Sequence, residues 1–240
     1  MLYSTGESVH RDDLFSARFV SASRDYVNFL ERGYAEKPLL KLVGDRHGLT
    51  RRQRHILFRG FSTIQDSLRR RSRLSQTIAG SDIVMDGYNI ILTVLNHLLG
   101  NPVFICTDGI LRDVGENHGQ IRDKGRFYRA MELIISWLTV QAPASVLGVF
   151  DSPVSHSAEH ALALQTRLRQ HGIRGEIELA RSADYVIKHC RTGAIATSDS
   201  VIIDATTLPV VDIPRLTLES AFSTTFPDLS LFSQFKTIGR

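Results

Sequence analysis

The chain has 240 residues, 42% of them hydrophobic and 22% charged, a composition of soluble globular proteins that argues against collagen, disorder or a disulfide scaffold. Its formal net charge is +4, a weak pointer to a polyanionic partner. Cys106 and Cys190 lack CxxC or Cys/His spacing and read as buried reduced thiols, and no apolar run has signal-peptide or membrane-span length, so we expect a cytoplasmic protein without a membrane partner.

In chain order, the first 78 residues lack β alternation and read as a small helical domain. Residues 12–32 carry a loose helical stripe from Leu14 to Leu30 that stops at Gly33, and Leu39, Leu40, Leu42 and Val43 make a short apolar turn before Gly44. Thr50 is a candidate N-cap for one long helix in which Leu57, Phe61, Ile64 and Leu68 recur at helical spacing. Ten basic residues between Lys41 and Arg73 face Asp45 and Asp66, a local net of 10 − 2 = +8 that leaves 4 − 8 = −4 for the remainder. Arg51, Arg52 and Arg54 on that helix can contact nucleic acid, or its basic face can dock on the rest of the chain.

After Gly80 the pattern changes to short apolar runs alternating with helical stretches. SDIVMDG, PVFICTDG, ASVLGVFDS, GEIELARS and GAIATSDS read as strands, with helices after the first, across Phe127 to Val140, from about Ser157 to His171, and from Asp184. This rhythm predicts a three-layer α/β/α domain over 79–216, a Rossmann-like parallel sheet with helices on both faces. Beyond Leu216, the 217–240 segment holds scattered aromatics with little period and reads as a tail packed on the body.

Ligands of an open parallel sheet sit beyond the carboxyl ends of its strands, near the point where strand order reverses. Four predicted strand ends close on aspartate, Asp86, Asp108, Asp151 and Asp199, and the fifth has Asp184 in the first turn of the next helix. Gathered carboxylates repel one another and are relieved by a cation, and all-oxygen ligands favour Mg2+ or Mn2+ over zinc or copper. Arg112, Arg122, Lys124 and Arg126 around the second strand's loop grip phosphate or solvate that loop. Ser155 or Ser157 is expected to cap the following helix, and the freed amides there can alternatively bind phosphate. His156 and His160 lie one turn apart without an HExxH pattern, so no zinc site is expected there.

The ordered motifs DGYN (86–89), VFD (149–151), SAD (182–184) and TSD (197–199) resemble the PIN-domain-like nucleases, especially their NYN and YacP-like branch, over roughly 80–205. The runs LVGDR, DGYNI, DGILRD, DSPVSHS and TSDSVIID are similar, over most of the chain, to uncharacterised proteins grouped as domain of unknown function 434. The PIN-like resemblance implies a Mg2+- or Mn2+-dependent nuclease acting on RNA rather than DNA, leaving a 5′-phosphate and a 3′-hydroxyl. Asp86, Asp151, Asp184 and Asp199 would be its metal ligands, with Asp108 or Asp113 in place of the family's helical glutamate. Asn89 would orient the site or touch phosphate, Thr197 and Ser198 would set hydroxyls near Asp199 or the substrate, and a homodimer is implied as well. Two other readings stand beside it: a catalytically inactive nucleic-acid-binding or adaptor module of the same fold, and a small-molecule phosphatase, against which MDGYN lacks the DxD of an aspartyl-phosphate enzyme.

Overall fold

A computed structural model describes residues 14–115 and 121–233. The predicted start of the first helix at 12–13, the N-terminal run MLYSTGESVHRDD and Phe235 of the tail lie outside them. The chain is α/β, with a helical N-terminal region followed by a four-stranded parallel sheet. No helix among the described residues is long and apolar enough to cross a membrane.

The N-terminal region consists of α1 (Ala17–Glu31), α2 (Glu36–Arg46), α3 (Arg51–Gly60) and α4 (Ile64–Arg71). Leu39 and Val43, expected in a turn, instead lie one turn apart on the buried side of α2, with Glu36 in its first turn and Arg46 in its last, as the helix dipole favours. Thr50 does cap α3, in a capping box with Gln53. The single long helix expected from Thr50 is corrected to two. Phe61 is extended (φ −120°, ψ 137°), and Thr63 caps α4 by accepting from the Asp66 amide. The break rotates Ile64 and Leu68 off the expected core face, leaving both exposed.

The arginines on α4 and just after it reach to the α/β body. Arg69 and Arg70 pair with Asp204, Arg71 donates to the Thr107 carbonyl, and Arg73 to the Ile203 carbonyl. The apolar sides of α1 to α3 (Phe19, Tyr26, Val43, Ile56, Leu57) share one core with Phe104, Cys106, Val114 and Leu229.

The sheet is made of β1 (Asp82–Asp86), β4 (Ser145–Asp151), β5 (Gly175–Ala180) and β6 (Ala194–Ala196), in the order β5-β4-β1-β6. Alternate residues serve opposite faces. Ile83, Met85, Val146, Phe150, Ala194 and Ala196 face α5 (Gly87–Leu98), α6 (Lys124–Gln141), α7 (Ser157–Gln170) and α10 (Ile213–Phe222). Val84, Val149 and Ile195 face α8 (Ala183–Lys188) and α9 (Ser200–Ala205). Burial on both faces is what favours apolar strand runs in parallel sheets.

One expected strand is elsewhere. β2 (Val103–Ile105) pairs antiparallel with β3 (Leu111–Asp113) in a separate ribbon. The turn between them passes through Gly109, whose φ of +83° suits glycine. The segment expected as an irregular tail begins inside α10, which runs through residue 216 and is started by Asp212 as N-cap with a proline in its first turn. Beyond it, Leu229 is buried, its amide donates to Ile105, and α11 (Ser230–Ser233) follows.

Candidate functional site

The connection from β1 runs through the ribbon and α6 to β4, then through α7 to β5, each step moving outward on one side of β1. From β5 the chain returns through α8 to β6 on β1's other side. Strand order therefore reverses at the β1/β6 seam, where ligands of open α/β sheets bind. Register sets Met85 beside Ala196, so the next residues along, Asp86 and Thr197, leave the sheet together.

Asp86 is buried, and Thr197 Oγ1 donates to its Oδ2 at 3.0 Å across the seam. Its Oδ1 accepts from the Asn89 amide at 3.4 Å, making Asp86 the N-cap of α5. Asn89 Oδ1 in turn accepts from the Ser198 amide (2.8 Å) and hydroxyl (2.9 Å). The Asp199 amide donates to Thr197 Oγ1 at 3.1 Å, and the Asp199 carboxylate caps α9 through Val201. DGYN and TSD thus form one interlocked unit, in which Asn89, Thr197 and Ser198 orient the acids.

Asp151, at the end of β4, accepts from the Ala183 amide at 2.9 Å, which fixes the start of α8 and hence Asp184. Burial pushes the Asp86 carboxyl up to about 7; its two hydrogen bonds oppose the rise, and the charges of Asp184 and Asp151 add to it. Asp184 is also raised, by burial and then by Asp199, with Lys188 opposing and Asp151 adding. Asp86 and Asp151 thus end strands at one sheet edge, Asp199 follows a third strand and Asp184 opens the helix after β5; the charges of Asp184 and Asp151 reach Asp86, and those of Asp199 and Asp151 reach Asp184. Among the described residues no three His, Cys, Asp or Glu side chains are spaced to grip one ion.

The structure puts other sequence candidates to different use. Asp108 is not at the end of a sheet strand. Arg112 clamps it with its two terminal guanidinium nitrogens (2.9 and 2.8 Å), and Arg70 adds a contact at 3.4 Å. Burial alone would raise Asp108, but Arg112 and Arg70 outweigh it and hold the carboxyl below its ordinary value. Arg112 is correspondingly buried rather than on an open loop, and its Nε donates to the Ser198 carbonyl at 2.7 Å, which braces TSD from behind. Asp113 accepts from Asn96 and from the Gly115 amide, a structural tie.

The expected serine cap of α7 is also corrected. Its N-cap is His156, in the left-handed region and without a side-chain cap bond, while Ser157 is buried and donates to the Ser152 carbonyl. Ser155 is exposed. His160 is a core residue hydrogen-bonded to the Tyr88 hydroxyl at 3.0 Å. Lys124 pairs with Glu159 and Arg126 with Asp123. On α3, Arg51 is exposed, Arg52 half-buried, and Arg54 pairs with Asp45 at 2.9 Å.

A cleft of about 630 Å³ opens between the helical N-terminal region and the β6 end of this edge. Asn89, Ser198 and Asp199 line its inner side, and Tyr34, Phe58 and Arg59 its outer wall. Sequence reasoning missed this cleft, because its walls are brought together by the Arg69 and Arg70 pairs to Asp204, which bridge more than 130 residues of chain.

Residues 75–216, more than half of the chain, match the model of domain of unknown function 5616. The chain belongs to the DUF5616 family. Residues 18–73 match a second model, protein of unknown function 434. The resemblance to that group expected over most of the chain is thus confined to the helical region, and DGYNI, DGILRD, DSPVSHS and TSDSVIID fall within DUF5616. An uncharacterized protein of Methanocaldococcus jannaschii is 26% identical over 195 residues, covering 80% of this chain and 92% of that protein. No solved structure matches the chain.

Proposed function

We propose that this DUF5616 chain is a metal-dependent nuclease that hydrolyses phosphodiester bonds, with RNA as the expected substrate and Mg2+ or Mn2+ as the cofactor. The observation that carries the reading is the buried Asp86 at the strand-order reversal, raised to about 7 with Asp184 and Asp151 both pressing on it. A pocket that gathers like charges at a ligand-binding position is strained unless a cation or proton joins it. The PIN-like resemblance of the ordered motifs supports phosphodiester chemistry in particular.

The donors fit a hard divalent cation chemically: they are carboxylate oxygens, and no cysteine is among them. Asp86, Asp151, Asp184 and Asp199 would hold the ion once their side chains turn toward it, because no three of them are spaced to grip it as they stand. Bound there, it would supply charge neutralisation and Lewis acidity toward a phosphoryl oxygen. Thr197 and the Asn89 amide hold the Asp86 carboxylate in one orientation. Asn89, tied to Ser198, keeps β1 and β6 from separating as substrate enters. Arg112 fixes the Ser198 carbonyl, so the hydroxyls of TSD keep their place relative to Asp86.

Labelled RNA incubated with the full chain is the test. Cleavage in Mn2+ that stops in EDTA and leaves 5′-phosphate ends supports the reading, and absence of cleavage across Mg2+ and Mn2+ removes it. A second reading, a nucleic-acid-binding module without catalysis, is favoured by one observation: Asp86, Asp151 and Asp199 each accept a backbone amide at or beside a helix start. Helix initiation alone accounts for such residues. On that reading RNA binding persists in EDTA and no strand is cut.

A further inference from the structure

We infer that the cleft beside the acidic edge is a nucleotide subsite, in which α3 supplies a stacking platform for an unstacked base (Phe58) and a grip on its phosphate (Arg59). The occupant is one nucleotide of a single strand that continues to Asp199. The inference rests on the proposed reading only in taking that edge as the place where the strand is cut.

At about 630 Å³ the cleft falls within the range of about 300–1,000 Å³ of small-ligand pockets, and it lies between two separately matched segments of the chain, where such sites favour forming.

Helix α3 buries Gln53, Ile56, Leu57 and Gly60, so its core-facing side is already complete without Phe58. Phe58 instead stays 38% exposed, and it lines the cleft. A phenyl face at a cleft wall offers what a base needs once it has left its own stack.

Two of the cleft's arginines are committed, Arg70 to Asp204 (2.6 Å) and Arg112 to Asp108 (2.8 Å). Arg59 is not held in this way. Its ion pair with Asp113 is 3.6 Å long, beyond the ~2.7–2.9 Å of a charge-assisted hydrogen bond, and its Nε is buried with no partner. Of the acids along the same walls, Asp66, Asp108 and Asp204 are matched by Arg69, Arg112 and Arg70, burial moves Glu36 toward its neutral form, and Asp199 is left for the proposed cation. An aromatic platform beside a guanidinium held only by one long ion pair is the pairing that single-stranded nucleic acids use. A duplex keeps its bases stacked and does not fit.

The test uses the full-length Asp86→Asn chain in Mg2+, with a fluorescein-labelled oligouridylate followed by anisotropy. Phe58→Ala and Arg59→Gln, made in that background, should each weaken binding by at least about fivefold, with unchanged circular dichroism. Phe58→Trp should retain it. Arg59→Gln should also lower the salt slope by about one, and Phe58→Ala should leave that slope alone. Affinities within twofold of the parent in both variants, or equal competition by an unlabelled duplex, overturn the subsite. If the variants weaken binding but the wild-type chain cuts nothing in Mn2+, the subsite stands and the nuclease reading falls. Cleavage by wild type with unaltered binding in both variants removes the subsite alone.

Discussion

Thr197 donates its hydroxyl proton to Asp86 at 3.0 Å, and that one bond crosses the seam where the strand order of the sheet reverses. Thr197→Val keeps the shape of the side chain but leaves a buried carboxylate oxygen short of a donor. We expect a loss of roughly 1–3 kcal/mol in urea unfolding, with Thr197→Ser recovering most of it. Equal stability of Val and Thr variants would show that the seam does not depend on this bond.

The Asp108–Arg112 pair is almost wholly buried, at 1% and 5% side-chain exposure. Removing one partner strands the other's charge, so Arg112→Met should cost ~3–5 kcal/mol. The double variant Asp108→Leu, Arg112→Met should recover a large part of that. A double variant no better than Arg112→Met would show that the pair's geometry, including the brace on Ser198, matters more than its charge.

Two carboxyls, Asp86 and Asp212, are each pushed up to about 7, burial being the first cause in both. Between pH ~4 and ~7 the folded chain then holds protons that the unfolded chain has released. Their contribution to stability is present at the acid end of this window and falls as pH rises through it. Asp108, held below its ordinary value, works oppositely and only at lower pH: its contribution is lost as pH falls below ~4. Urea midpoints taken from pH 5 to 8 should therefore decline in the wild type. Asp212→Asn should flatten the decline, and Asp86→Asn should flatten it as well. A flat wild-type profile would contradict both shifts.

Gly87 opens α5 directly after Asp86, and a Cβ built there would lie 2.6 Å from the Phe150 ring. The ring is fully buried, so Gly87→Ala should cost about 1–3 kcal/mol through overpacking. Phe150→Leu in the same chain should return part of the loss. A thermal melt of Gly87→Ala superimposable on the wild type would overturn this account of why a glycine follows the first aspartate.

Legibility from sequence followed the range of the interactions involved. DIVMD, VLGVFD and AIATSD were readable as strands because a doubly covered parallel strand needs a continuous apolar run, and the acids at their ends were readable because only residues at the carboxyl edge follow such runs. VFICT carries the same local signal, yet it pairs with Leu111–Asp113 outside the sheet. Nothing local distinguishes those two fates. The helix break at Phe61–Thr63 was hidden because Leu57, Phe61, Ile64 and Leu68 keep helical spacing across it; Thr63, three residues before Asp66, was the available sign of a second cap. The uses of Asp108, Arg112 and Arg70 and the walls of the cleft depend on partners far along the chain, which no spacing rule reaches. Asp212 was missed despite a local sign, an aspartate two residues before a proline at the start of an apolar helical stretch.

The most direct test of the acidic edge as a hydrolytic centre is the rate of Mn2+-dependent cleavage of single-stranded RNA by the wild-type chain and by Asp86→Asn, with both shown to be folded by circular dichroism. The account predicts measurable cleavage by the wild type, none in EDTA, and a loss of at least about a hundredfold in Asp86→Asn, on the order of 2.7 kcal/mol of transition-state stabilisation. Cleavage by Asp86→Asn at the wild-type rate, or no cleavage by the wild type with either metal, would contradict it.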